Sequence, residues 1–188
     1  MQNQQQTILG IDPGTNIMGY GIICAKDTTI SLVKMDILKI NAKKNQLEKL
    51  IETFDFVSHL IATYQPDSMA IETQFLGKNI QSMLKLGRAQ GVAIAAALHK
   101  NIPVFEYAPT KIKAAVTGRN NSTKEQVAAM LQYVFQIESI PTFDATDALA
   151  IAYCHYLQNA NIPIVQKHKT KKNSWKHFVE ENKNRIIK

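Results

Sequence analysis

Thr7-Ile8-Leu9-Gly10-Ile11-Asp12-Pro13-Gly14 is a short apolar run that ends in an acid and then turns. Pro-Gly cannot continue a strand, so the run reads as a β-strand closed by Asp12. Two further apolar runs follow, Met18 to Ala25 and Thr29 to Leu38, separated by turn-forming residues. Three short strands with tight turns between them predict an antiparallel meander.

Beyond it the period changes. Leu47, Leu50, Ile51, Phe54, Val57, Leu60 and Ile61 recur at threes and fours, which predicts an amphipathic helix over 46–64. Ser68-Met69-Ala70-Ile71-Glu72 is a fourth strand, and it too ends in an acid. A loop with Phe75, Gly77 and Lys78 leads to a long alanine-rich helix over 80–99 carrying Gly87 and Gly91. Apolar residues on more than one of its faces suit a fully buried helix, while Gly87 and Gly91, four apart, would let another backbone approach closely. A fifth strand is expected over 102–107 and a short helix over 109–116, opened by Pro109. Ser122 and Glu125 have capping-box spacing, which places a helix start there and its end near Phe135. A last helix is expected over about 143–158. Strand-helix-strand segments imply parallel pairing beside the antiparallel hairpins. The fold class is therefore α/β, a mixed five-stranded sheet flanked by helices in a single domain.

The composition agrees. Of 188 residues, 45% are hydrophobic and 20% charged, which is ordinary for a globular domain. No unbroken apolar run is longer than Val92 to Leu98, which is far too short to cross a membrane. The start MQNQQQT lacks a secretory pattern, so a cytoplasmic location is expected. Cys24 and Cys154 are then expected to be buried free thiols. Net charge is +7, of which +6 lies in residues 166–188. The expected organisation is a frayed N-terminus over 1–6, a domain over 7–165 and a basic tail over 166–188. Basic charge in the tail suits nucleic acid, and it equally suits a solubilising segment.

Four acids stand apart. Asp12 and Glu72 end apolar strands, where ligands gather in α/β sheets. Asp144 and Asp147 open an apolar helix three residues apart, on one face. Each has an ordinary explanation: a turn former, a solvated strand end, or capping of a helix N-terminus. Four carboxylates in one pocket would repel one another, and a divalent cation would remove that cost. Oxygen-only ligands favour Mg²⁺ or Mn²⁺ over Zn²⁺.

Five segments taken together resemble a known family. They are Ile8 to Gly14 with Gly19-Tyr20-Gly21, Ala70-Ile71-Glu72, Lys85 to Gly91, Phe105-Glu106-Tyr107, and Asp144 to Ala150. In order and spacing they are similar to the RuvC family of Holliday junction resolvases, over about residues 7–158. The resemblance implies an RNase H-like fold, a homodimer, Mg²⁺ or Mn²⁺ as cofactor (two ions per site) and four-way junction DNA as substrate. It also implies the RuvA–RuvB branch-migration complex as partner. Asp12, Glu72, Asp144 and Asp147 match the family's catalytic, metal-holding acids, and Asp12, central on the sheet, is expected to bridge both ions. Some members carry His where Asp144 stands. Lys113 and Lys124 match family lysines near the scissile phosphate or DNA backbone. Phe75 matches an aromatic that engages the junction, and Lys78 and Arg119 are further candidates for phosphate contacts. Thr73 stands where members usually have Gln. His155 lies about 16 Å along the helix from Asp144 and is expected to be a packing or surface residue rather than a ligand.

Three other readings compete with the resolvase. An actin-like kinase also begins with strand, acid and Gly-Thr, but it needs a second such lobe. A non-cleaving junction-binding module would dispense with the acids. A related RNase H-like nuclease on other branched DNA or RNA would keep them.

Overall fold

The computed structural model describes residues 5–27, 29–74 and 79–159. Phe75, Lys78 and the basic tail lie outside the described residues. The elements are β1 Gln5–Asp12, β2 Ile17–Lys26, β3 Thr29–Lys39, α1 Gln46–Tyr64, β4 Ser68–Glu72, α2 Ile80–His99, β5 Val104–Tyr107, α3 Pro109–Thr117, α4 Lys124–Phe135 and α5 Phe143–Asn159. The expected mixed five-stranded sheet is present, in the order β3-β2-β1-β4-β5. β1, β2 and β3 pair antiparallel, while β4 and β5 run parallel to β1.

Side-chain alternation divides the core in two. Leu9, Ile11, Met18, Tyr20, Ile22, Met69 and Ile71 face Val57, Leu60 and Ile61 of α1 and Ala93, Ala96 and Ala97 of α2. Ile8, Ile23, Ala25, Ala70 and Tyr107 face α3, α4 and α5 through Ile112, Val116, Val127, Leu131 and Leu149. The second face is partly floored by glycine. A Cβ on Gly10 would stand 2.2 Å from the Ala148 carbonyl oxygen, one on Gly21 2.7 Å from the Leu149 Cα, and one on Gly19 2.0 Å from the Asp144 carbonyl oxygen. Gly10 and Gly21 are register partners, and Gly19 is the partner of Asp12. These three missing side chains let the backbone of α5 lie directly on β1 and β2.

Several sequence expectations shift. The N-terminus is not frayed as far as residue 6, because Gln5 and Gln6 pair with Lys26 and Ala25 and lengthen the hairpin. β5 starts at Val104 rather than 102, because the Ile102 N–H closes α2 by donating to Ala97 O. The capping box of α4 is Thr123 with Gln126, not Ser122 with Glu125. The Ser122 hydroxyl is engaged instead by Thr117 Oγ1 and the Arg119 carbonyl. Cys154 is buried and free, but Cys24 is only half-buried. α2 is not buried all round. Ala89, Gln90, Ala93, Ala96 and Ala97 are covered, whereas Ile80 and Leu84 are 67% and 51% exposed and Gly87 and Gly91 face open space. Among the described residues no helix is long and apolar enough to cross a membrane.

Candidate active site

Strand parity and register bring Asp12 and Glu72 together. Gly10 pairs with Ala70 and Ile11 with Ile71 in parallel register, so the next residues, Asp12 and Glu72, end neighbouring strands side by side. Both share parity with Gly10 and Ala70 and project toward α5. Tyr107 is the register partner of Glu72 on β5. Gly19, Asp12, Glu72 and Tyr107 thus form one row across four strands. α5 enters over Gly19, and Asp147, one turn into the helix, reaches the same place.

Asp12, Glu72 and Asp147 line one cleft of about 250 Å³ with Lys113, Lys124, Pro109, Ile112, Val127 and Ala150. Asp144 does not line it. Its backbone rests on Gly19, yet its charge is still felt at Asp12. The N-terminus of α5 does not depend on these acids for capping, because the Ala145 N–H donates to Thr142 Oγ1 at 3.2 Å.

The carboxylates strain against each other. Burial first, and then the charges of Asp147 and Glu72, hold the Asp12 carboxyl up at about 7, against an ordinary 3.8. Glu72 is raised too, by burial and then Asp147, with Lys124 and Lys113 opposing. Lys124, the first residue of α4, donates from Nζ to Asp147 Oδ2 at 2.5 Å. That bond is the leading cause of a raised Lys124 pKa. Among the described residues no three His, Cys, Asp or Glu side chains stand close enough to hold a metal ion in this arrangement. Among the described residues, the cation paired with these acids is the Lys124 ammonium.

Arg119 is placed elsewhere. It lines an open groove beside α4 with Thr117, Ser122, Gln126, Met130 and Tyr133. Lys113, on α3, shares the acid cleft as expected. Phe75 and Lys78 fall outside the described residues. Sequence reading missed the Lys124–Asp147 pair, although a lysine in a helix's first turn was a signal, since the helix dipole disfavours a cation there. It also missed Gln90, whose Nε2 donates to the Glu72 carbonyl at 3.2 Å and to Glu106 Oε2 at 3.0 Å. His155 packs, as expected, with its ring fully buried.

Comparisons with known proteins give the family. The model of the family described as crossover junction endodeoxyribonuclease RuvC matches residues 8–155. A Cytophaga hutchinsonii protein of that name is 50% identical over 180 residues, covering 95% of this chain and 87% of that one. One from Bacteroides fragilis is 49% identical over 186 residues, covering 97% of each. A solved structure, Thermus thermophilus RuvC in complex with Holliday junction substrate, superposes with a TM-score of 0.77 at 28% identity, over 81% of this chain and 94% of that one. The sheet is thus of the RNase H-like kind, its acid-lined cleft falls inside the matched region, and the chain belongs to the RuvC family of crossover junction endodeoxyribonucleases.

Proposed function

We propose that the cleft of Asp12, Glu72 and Asp147, together with Asp144, is the hydrolytic centre of an endonuclease that resolves four-way DNA junctions. Family membership gives the activity. The observation that carries the site is the meeting of Asp12, Glu72 and Asp147 in one cleft, where burial first and then the charges of Asp147 and Glu72 hold the Asp12 carboxyl at about 7.

Nucleases of this family are metal-dependent, and the chemistry of the donors here, though not their present spacing, fits a divalent cation. The donors are all carboxylate oxygens, the preference of Mg²⁺ and Mn²⁺. Their mutual repulsion is the cost that such a cation removes. Asp12, Glu72, Asp147 and Asp144 would hold it, and Mg²⁺ is the ion we propose. When bound, a pair of such ions supplies an activated water and neutralises the leaving oxygen.

The chain's own residues do the rest. Lys124 and Lys113 face the acids from α4 and α3 and offer two ammonium groups to a phosphodiester in the cleft. Lys124 Nζ, which pairs with Asp147 in this structure, would be one of the ammonium groups to meet a nonbridging phosphate oxygen. Arg119, Lys78 and Phe75 are the further residues we propose for contacts with the junction. A junction has two equivalent strands to cut, so two such clefts related by a twofold axis are needed. The uncovered stripe of α2, with Ile80, Leu84, Gly87 and Gly91, is the face we propose for that homodimer. The RuvA–RuvB complex is the proposed partner and the cytoplasm the proposed location.

The test is a synthetic mobile four-way junction incubated with Mg²⁺, Mn²⁺ or EDTA. Paired symmetric nicks with metal and none with EDTA are expected. An intact junction under both metals would refute the proposal.

A further inference from the structure

His155 is the one fully buried histidine among the described residues, and its surroundings are unusual for a packing residue. Its Nδ1 is 2.7 Å from the Tyr107 hydroxyl and its Nε2 is 3.0 Å from Ser68 Oγ. The ring also lies against Phe105, with centroids 4.4 Å apart, and meets Tyr107 edge-on. One imidazole of α5 is therefore bonded to both β4 and β5.

Those two strands carry one side of the acid cleft. Tyr107 is beside Glu72 in register, and its carbonyl accepts the Thr73 N–H at 2.9 Å. The same α5 carries Asp147 two turns before His155. On the other side of the cleft, the glycine seat fixes α5 against β1 and β2, and hence against Asp12. That seat does not extend to β4 or β5. Ser68 alone would tie only the far end of β4, four residues before Glu72. The Tyr107 hydroxyl instead belongs to the residue that stands beside Glu72 in register.

We infer that His155 is a positioning residue for the reaction: through the Tyr107 hydroxyl it sets the spacing between Glu72 on the sheet and Asp147 on α5. Burial keeps the imidazole neutral, with its pKa lowered to about 4. A neutral ring offers one donor and one acceptor: Nε2 faces Ser68 Oγ and the donating Asn159 Nδ2 at 2.9 Å and so accepts, which leaves the Nδ1–H to donate to the Tyr107 hydroxyl. The inference rests on Glu72 and Asp147 serving the same centre. Residues that orient metal ligands from behind are commonly worth about 10–100-fold in metal affinity or activity.

The experiment compares the full-length protein with His155→Phe, Tyr107→Phe, the double variant and Ser68→Ala. His155→Phe keeps an aromatic ring and loses the hydrogen bonds. Tyr107→Phe removes a single oxygen and protects the test if the first variant folds poorly. Mn²⁺ alone is titrated into DNA-free protein, and single-turnover junction cleavage is measured beside junction binding in EDTA. Both single variants are expected to weaken Mn²⁺ binding and slow cleavage by about tenfold or more, with junction affinity within about twofold of the parent. The double variant should be no worse than His155→Phe, because the two residues act through one bond. Ser68→Ala should leave Mn²⁺ binding unchanged. Lower melting temperatures with unaltered Mn²⁺ binding and cleavage in Tyr107→Phe would overturn the inference, as would a Ser68→Ala effect equal to that of His155→Phe. If the unsubstituted protein neither binds Mn²⁺ nor cuts, the hydrolytic reading of the cleft itself fails, and the variants are then not what decided it.

Discussion

Asp12→Asn should stabilise the metal-free protein while abolishing cleavage. The Asp12 carboxyl sits at about 7 in the fold against 3.8 ordinarily. Between those values the folded chain holds a proton that the unfolded chain has released. Stability therefore falls as pH rises from 3.8 to 7, and the whole penalty is present above 7. A shift of about three units corresponds to roughly 4 kcal/mol at 1.36 kcal/mol per unit. Asparagine has the same shape and no charge, so it escapes both the burial cost and the repulsion from Asp147 and Glu72. Allowing for relaxation of a partly open cleft, the gain expected at pH 8 is about 2–4 kcal/mol. For a protein of this size that raises the melting temperature by about 4–8 °C at the lower figure. Urea unfolding in EDTA at pH 8 and at pH 4 is the assay. The gain should be present at pH 8 and nearly absent at pH 4. Saturating Mn²⁺ should reverse the order, because ligand binding stabilises only the variant that retains its site. An Asp12→Asn protein no more stable than the parent at pH 8 would refute the reasoning, as would a gain of equal size at both pH values.

Three more outcomes are expected. Lys124→Met should slow junction cleavage by at least about tenfold in single-turnover assays, with junction affinity changed much less, since one ammonium among several phosphate contacts is lost. Gly10→Ala should destabilise by about 3 kcal/mol or more in urea, because its Cβ would meet the Ala148 carbonyl at 2.2 Å; Gly87→Ala, with open space around it, should leave the fold intact or stabilise it by up to about 1 kcal/mol. Leu84→Glu on the uncovered stripe of α2 should shift sedimentation toward monomer and turn paired nicks into single ones, whereas an unchanged dimer would place the interface elsewhere.

Sequence by itself determined the sheet, most helices and the identity of the acids. That was possible because strand alternation and helical periodicity are local: each is read from residues two to four apart. Asp12 and Glu72 were visible as acids ending apolar strands, and Asp144 and Asp147 as a pair on one helix face. The precise cap of α4 was not legible. Ser122 and Thr123 both offer a hydroxyl, and only the fold shows that Thr117 and Arg119 occupy the first.

The tertiary structure alone decided which of these groups meet. Parallel register between β1 and β4 sets Asp12 beside Glu72. A glycine floor, unremarkable as Gly10, Gly19 and Gly21 in the sequence, lets α5 come close enough to add Asp147 to the cleft, which Asp144 does not line. The pairing of Lys124 with Asp147, 23 residues apart, and of His155 with Ser68, 87 apart, depends on how helices cross the sheet. No local pattern encodes such crossings, because they are settled by the packing of whole faces. The same holds for α2: its composition reads as buried, but the sheet has room to cover only one of its sides.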